Sequence, residues 1–168
     1  MNSENKIVKS IDDFLLLKGE KLGVSDWMVI DQSRINLFAD ATLDYQWIHV
    51  DEQRAKEESI YHATIVPGYL TLSLAVHLLE SAFNVQNVKQ IINYSVEKMI
   101  FKKPVVVNSR VRLHVYLDSA KDLGNICQAK LHCQMEIEHQ DEPAFDGIIT
   151  FLYFFKRITN ANQQLKIR

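Results

Sequence analysis

One run constrains this chain more than any other. From Pro67 to Phe83, apolar side chains at Tyr69, Leu70, Leu72, Leu74, Ala75, Val76, Leu78, Leu79, Ala82 and Phe83 cover most of the circumference of a helix. A helix that is apolar all round has no face to give to water, so other elements must wrap it. Pro67 suits its first turn, because the N–H that proline lacks is unpaired there in any case.

The residues that follow supply the wrapping. After Gln86 the hydrophobic period changes from helical to two. Val111, Leu113, Val115 and Leu117 alternate with Arg112, His114, Tyr116 and Asp118, and from Cys127 to Glu138 apolar odd positions alternate with polar even ones. Such alternation marks antiparallel strands with one wet and one buried face. A strand from about Lys89 to Phe101, stopped by Pro104, precedes them. The last strand, Ile148 to Phe155, is apolar on both faces and belongs at the centre of a sheet or at a subunit interface. An antiparallel sheet wrapped around the long helix buries both apolar surfaces at once. The expected class is therefore α+β, with the logic of a hotdog fold. One copy leaves edge strands open, so a homodimer is expected, or a higher homo-oligomer built from it.

Upstream, Ile7, Ile11, Phe14 and Leu15 are spaced like one face of a helix from Ile7 to Leu17, laid on the surface of the main body. Val24 to Ile30 reads as a first strand. Asp31 caps a helix from about Gln32 to Ala41, and Asp51 caps a short polar one from Glu52 to Glu58. The domain plan is a helical extension over residues 1–20, a single hotdog domain over 21–156 and a tail over 157–168.

At 168 residues the chain is long enough for one sizeable core. With 47% apolar and 24% charged residues it has the balance of an ordinary globular protein. A net charge of −2 gives no basic surplus for nucleic acid. No stretch approaches the roughly 18 apolar residues of a membrane span. The polar opening MNSENKIVKS lacks the pattern of a secretory signal. Two cysteines, Cys127 and Cys133, make no disulfide framework and read as core thiols on one strand face. A cytoplasmic location is expected, with no cofactor and no metal.

Two places carry candidate chemistry. The loop DYQWIH sets Asp44 and His49 five residues apart between two helices. On a loop the two side chains can converge on one water, and a carboxylate with an imidazole is suited to moving protons. The plainer alternative is that Asp44 caps a turn and His49 packs beside Trp47. In VPGYLTL, Gly68 sits at the N-terminus of the apolar helix, where unpaired N–H groups and the helix dipole favour negative charge. Developing charge on a thioester oxygen would be stabilised there; on spacing alone, Pro67 and Gly68 serve equally well as a helix start.

The segment FADATLDYQWIHVDEQRA resembles the signature of the MaoC-like hydratases, the R-specific enoyl-CoA hydratases. That signature is an aromatic residue, a Gly-Asp-x-Asn-Pro-aliphatic-His core and a small residue six positions after the His; Phe38, Asp44, Ile48, His49 and Ala55 fall in place. The Gln-Trp-Ile-His variant is similar to the nodulation-protein-N-type subgroup. TIVPGYLTLSL resembles that subgroup's TIAHGFLTLSL, and INYSVEKMIFKKPVVVNSRVR resembles its I-N-Y-G … R-F-x-x-P-V-x-V-G-S-R-V-R. The likeness spans roughly residues 21 to 156. It implies that Asp44 and His49 hold and activate a water, which adds across a trans-2-enoyl-CoA double bond to give an R-3-hydroxyacyl-CoA. It implies too that the Gly68 N–H binds the thioester oxygen. Gln46, in the family's Asn position, then lies at the substrate with Trp47, Pro67 and Tyr69. The implied partner is an acyl-CoA or an acyl-carrier thioester. The acyl chain would be buried beside the helix and the CoA nucleotide left at the surface. The chain departs from the family at Leu43, Trp47, Pro67, Ser95 and Ile100, which stand for Gly, Pro, His, Gly and Arg respectively.

Other features have bland readings beside sharper ones. Ser73 and His77 face the acyl pocket or simply bond within their helix. His114 and His132 would be two ligands of a zinc site that lacks a third. Lys98, Lys102, Lys103, Arg110 and Arg112 would meet CoA phosphates or guard a strand edge. Two rival functions stand beside hydration: a hotdog thioesterase, for which Glu80 is the only acid within the apolar helix, and a non-catalytic acyl-thioester binding module.

Overall fold

A computed structural model describes residues 5–156; residues 1–4 and the tail expected over 157–168 lie outside the described residues. The long strands are β5 (Val88–Phe101), β6 (Arg110–Asp122), β7 (Ile126–Ile137) and β8 (Phe145–Phe155). With β2 (Lys21–Val24) they form an antiparallel sheet in the order β2-β6-β7-β8-β5, and β3 (Met28–Val29) also pairs with β6. The sheet curls around helix α5 (Gly68–Ala82), the hotdog arrangement expected. In β7 the alternation is followed residue by residue: Cys127, Ala129, Leu131, Cys133, Met135 and Ile137 are buried while each even neighbour is half-exposed. β8, apolar on both faces, is an interior strand between β7 and β5.

Two close approaches seat the helix and close the sheet. At Gly23 a Cβ would lie 1.9 Å from the Ala82 carbonyl oxygen, so only glycine lets β2 meet the end of α5. At Gly147 a Cβ would lie 2.8 Å from the Met99 Cα, where β8 passes β5.

Three expectations need correction. The helix from Ile7 is shorter: Ile7–Val8 form strand β1, parallel to β4 (Asn84–Val85), and helix α1 spans Ile11–Leu16. Ser10 decides the boundary, because its Oγ accepts the Asp13 N–H at 3.2 Å and so caps α1. Phe14 is fully buried, its ring 4.9 Å from that of Tyr153 and 6.5 Å from that of Phe83, so this segment plugs one end of the sheet. The first strand, expected over Val24–Ile30, is split. Ser25 pairs with Leu113 through both its N–H and its Oγ, and the chain leaves the sheet until Met28. Finally, α5 is not covered all round: Tyr69, Ser73, Val76, His77 and Glu80 are exposed. Pro67 stands as its N-cap rather than in its first turn. The helix packs against β6 and β2, which leaves a groove on the side of β5.

Helices α2 (Gln32–Thr42), α3 (Trp47–Val50) and α4 (Glu52–Glu58) lie between β3 and α5. Asp31 caps α2 by accepting the Arg34 N–H at 2.9 Å, and Asp51 caps α4 by accepting the Arg54 N–H at 2.9 Å. No helix among the described residues is long and apolar enough to cross a membrane.

Candidate active site

Helix α2 ends at Leu43, which adopts the left-handed conformation (φ 62°, ψ 22°) that usually closes a helix at glycine. That turn delivers Asp44 immediately after the helix. The Asp44 carboxylate is half-exposed, and its one recorded partner is the Gln46 N–H at a long 3.5 Å. Gln46 then opens α3, where the His49 N–H donates to the Gln46 carbonyl at 2.9 Å.

His49 is 8% exposed and held firmly. Its Nδ1 lies 2.7 Å from the Ile65 carbonyl oxygen. A carbonyl can only accept, so Nδ1 carries a proton, and in the neutral ring Nε2 is the nitrogen with the lone pair. The Ile65 N–H donates in turn to the Ile48 carbonyl at 3.0 Å. Residues 64–66 pair with 105–107 through Val66 N–H to Val105 carbonyl (2.8 Å) and Val107 N–H to Thr64 carbonyl (3.0 Å). The ring is therefore held by a stretch bridged to the connection between β5 and β6, not by a free loop.

His49 and Gly68 line one cavity of about 170 Å³ together with Ile65, Thr71, Phe101 and Lys103. The N–H groups of Gly68 and Tyr69 have no acceptor among the described residues, as expected for the first turn of α5. Thr71 Oγ1 donates to the Gly68 carbonyl at 2.6 Å and fixes that turn. A Cβ on Gly68 would come within 3.2 Å of the Phe101 ring, so Gly68 also keeps this wall close. The imidazole of His49 and the first residue of α5, whose N–H is unspent, thus line one small, mostly apolar space. Such a space suits proton transfer next to a carbonyl whose oxygen gains charge.

Of the other residues singled out in the sequence, Asp44 borders this region on the chain but does not line the cavity. Gln46 is exposed, and Pro67 is buried as the cap of α5. Trp47 lies under the Arg54 guanidinium, 4.4 Å from its ring centroid, and Tyr69 sets its ring edge-on to Phe101 at 5.8 Å. Phe101 and Thr71 had no mark in the sequence as site residues, and Lys103 had one only as a contact for CoA phosphates or as a guard of a strand edge. Phe101 is the last residue of an edge strand and Lys103 follows it, so only the fold brings them to His49.

The remaining candidates have ordinary roles. Ser73 Oγ donates to the Tyr69 carbonyl at 2.8 Å, and His77 is exposed. His114 and His132 serve separate carboxylates, Glu136 and Asp146, and no group of metal-ligating side chains is found among the described residues. Arg110 and Arg112 pair with Glu138 and Glu136 and lie over the Trp27 ring, and Lys102 pairs with Asp146. Burial pushes the thiols of Cys127 and Cys133 up to about 12, which leaves them inert core groups.

Residues 14–133 match the family model described as MaoC like domain. The chain belongs to this MaoC-like family. Among curated proteins it is similar to 3-hydroxyacyl-thioester dehydratase Z of Mycobacterium tuberculosis, with 44% identity over 137 residues, 81% of this chain and 90% of that protein. It is 38% identical to Nodulation protein N of Rhizobium leguminosarum bv. viciae over 144 residues, 81% of this chain and 86% of that protein. Among solved structures, the (R)-hydratase from A. caviae involved in PHA biosynthesis superposes with a TM-score of 0.64. That match is 22% identical and covers 80% of this chain and 94% of the hydratase, a likeness of fold. In this chain the fold brings His49 and the start of α5 to one cavity.

Proposed function

We propose that this MaoC-like protein is a hydratase/dehydratase of acyl thioesters, adding water to a trans-2-enoyl thioester to give an R-3-hydroxyacyl thioester and running the reverse elimination. The observation that carries this reading is the shared cavity, lined both by a buried imidazole held through Nδ1 and by Gly68 at the N-terminus of α5. The names of the relatives, a 3-hydroxyacyl-thioester dehydratase and an (R)-hydratase, support the same chemistry.

In this mechanism the thioester oxygen accepts the Gly68 N–H, so that negative charge moving onto it in the transition state is met by a preorganised donor and the helix dipole. Asp44 and His49 hold the water between them. One withdraws its proton as the oxygen bonds to C3, and a proton is delivered to C2, so the π bond is consumed and no charge is left over. Gln46, Trp47, Pro67 and Tyr69 border the substrate, with the acyl chain against α5. Asp44 completes the site when water and thioester draw it toward His49; its single long hydrogen bond leaves it free to turn.

Two copies pair through the face that carries the groove. β5 is an edge strand that exposes Ile91, Tyr94, Val96 and Ile100, and beside it α5 exposes Tyr69 and Val76. A long apolar edge of this kind needs a cover.

The test follows loss of the conjugated enoyl-thioester absorbance with crotonyl-CoA and a medium-chain trans-2-enoyl-CoA. Wild type should turn over at least one. Asp44→Asn and His49→Ala should each lose about 10³-fold or more in kcat, on the order of 4 kcal/mol of transition-state stabilisation. Release of free thiol instead would assign a thioesterase, and saturable binding without turnover a binding module.

A further inference from the structure

We propose that Gln32, the first residue of α2, is a positioning residue: with Thr64 it forms an amide clip that ties the helix delivering Asp44 to the segment delivering His49. The inference rests on the hydratase reading for its kinetic consequence but not for its geometry.

Every polar position of the Gln32 amide that the structure records is spent. Its Nε2 donates to the His49 carbonyl at 2.8 Å and to Asn36 Oδ1 at 2.9 Å, and its Oε1 accepts the Thr64 hydroxyl at 2.5 Å. The carbonyl of His49 can only accept, which fixes which end of the amide points where. Thr64 is 1% exposed, so its hydroxyl has no water to turn to and depends on this bond.

Asn36 lies one turn along the same helix, but the other two partners meet at the imidazole. His49 is the candidate base, and Thr64 precedes Ile65, whose carbonyl holds the His49 ring at Nδ1. Gln32 therefore grips both sides of the Nδ1–H bond: the backbone that carries the ring and the backbone that carries its acceptor. At the other end of the same 11-residue helix, the turn at Leu43 presents Asp44. A helix is stiff over three turns, so anchoring its first residue to His49 fixes where its last turn points relative to His49. The Asp44–His49 pair is thus set by a clip some sixteen ångströms of helix away from Asp44 (about 1.5 Å per residue), not by a direct bond between the two.

A residue that merely stabilised the start of α2 would not need this arrangement. Asp31 already caps the helix through the Arg34 N–H. The Gln32 side chain turns inward instead and serves the two strands of chain that hold the ring. Supports of this kind around a reacting group commonly cost 10- to 100-fold when removed.

The experiment uses the full chain with ¹⁵N-labelled histidine. In wild type the His49 ring nitrogens should show a single Nδ1–H tautomer, with Nε2 unprotonated at high pH. Gln32→Met, close in volume and without polar atoms, should give a mixture of tautomers. It should also lower kcat on crotonyl-CoA about 10- to 100-fold, with KM within about twofold. Thr64→Val should reproduce both changes, Thr64→Ser should restore the wild-type spectrum and rate, and the Gln32→Met/Thr64→Val pair should be no worse than Gln32→Met. A folded Gln32→Met protein with the wild-type tautomer pattern would overturn the clip, whatever its rate. If wild type turns over no enoyl thioester, the hydratase reading falls, while the ring signals still decide the clip.

Discussion

Leu43 is the residue whose backbone decides most at this site. The family pattern has glycine before the aspartate, and the structure gives the reason: this position closes α2 in the left-handed region, where a Cβ is strained. Leu43 adopts that conformation anyway. The departure has a cost. The side chain is 76% exposed and gains little burial in return. Leu43→Gly should raise stability by about 1 kcal/mol, measured by urea unfolding, with turnover unchanged. A loss of stability would mean that Leu43 is held by packing and not strained. At the same scale, the candidates Asp44, His49 and Gly68 stand out in the sequence because each sits in a short motif, and the structure brings His49 and Gly68 to one cavity. Gln32 and Phe101 do not stand out: neither has a spacing that marks it, and each acts through a partner distant in the chain.

Among elements, β2 and α5 meet most tightly. The 1.9 Å approach at Gly23 involves a backbone carbonyl, which cannot swing aside as a side chain does. Gly23→Ala should therefore destabilise by about 3 kcal/mol, seen as a lower urea midpoint at unchanged slope. The outer face of β6, β7 and β8 carries a second network. Burial pushes the carboxyls of Glu136 and Asp146 up. The hydrogen bonds from Arg112 and His114 to Glu136, and from Gln134, His132 and Lys102 to Asp146, outweigh it and hold both below the ordinary carboxylate range. Groups with depressed folded values stabilise the protein above their unfolded values, near 4. That contribution is lost as pH falls through the folded values. Unfolding free energy should thus be level from pH 7 to about 5 and fall below about 4. The double variant Glu136→Gln/Asp146→Asn should be less stable at pH 7 and show a shallower decline in acid. Equal slopes would show that other groups drive the acid transition. In this network each imidazole is bonded to its own carboxylate, His114 to Glu136 and His132 to Asp146, and the described residues hold no group of three or more metal-ligating side chains.

At the scale of the whole molecule, the groove beside α5 and the edge at β5 form one apolar surface on the single chain. The helix has a dry side against β6 and an open side toward β5, which the composition of the helix alone did not distinguish. If two copies cover that side, the 19.5 kDa chain should sediment at twice its mass. Val76→Glu, which sets a charge on the exposed side of α5, should return it to the mass of one chain. A dimer that survives this change would place the interface elsewhere.

The sequence by itself determined the class of fold, the buried helix, the strand alternation and the short motifs around Asp44, His49 and Gly68. These depend on local periodicity and capping, which neighbouring residues encode. Only the tertiary structure decided that the N-terminal segment enters the core through Phe14 and that α5 keeps an open side. It alone brought Gln32, Thr64 and Ile65 together around the imidazole. Those contacts join residues far apart in the chain, Phe14 and Tyr153 among them, and strand register and close backbone approach, rather than any local pattern, bring them within reach.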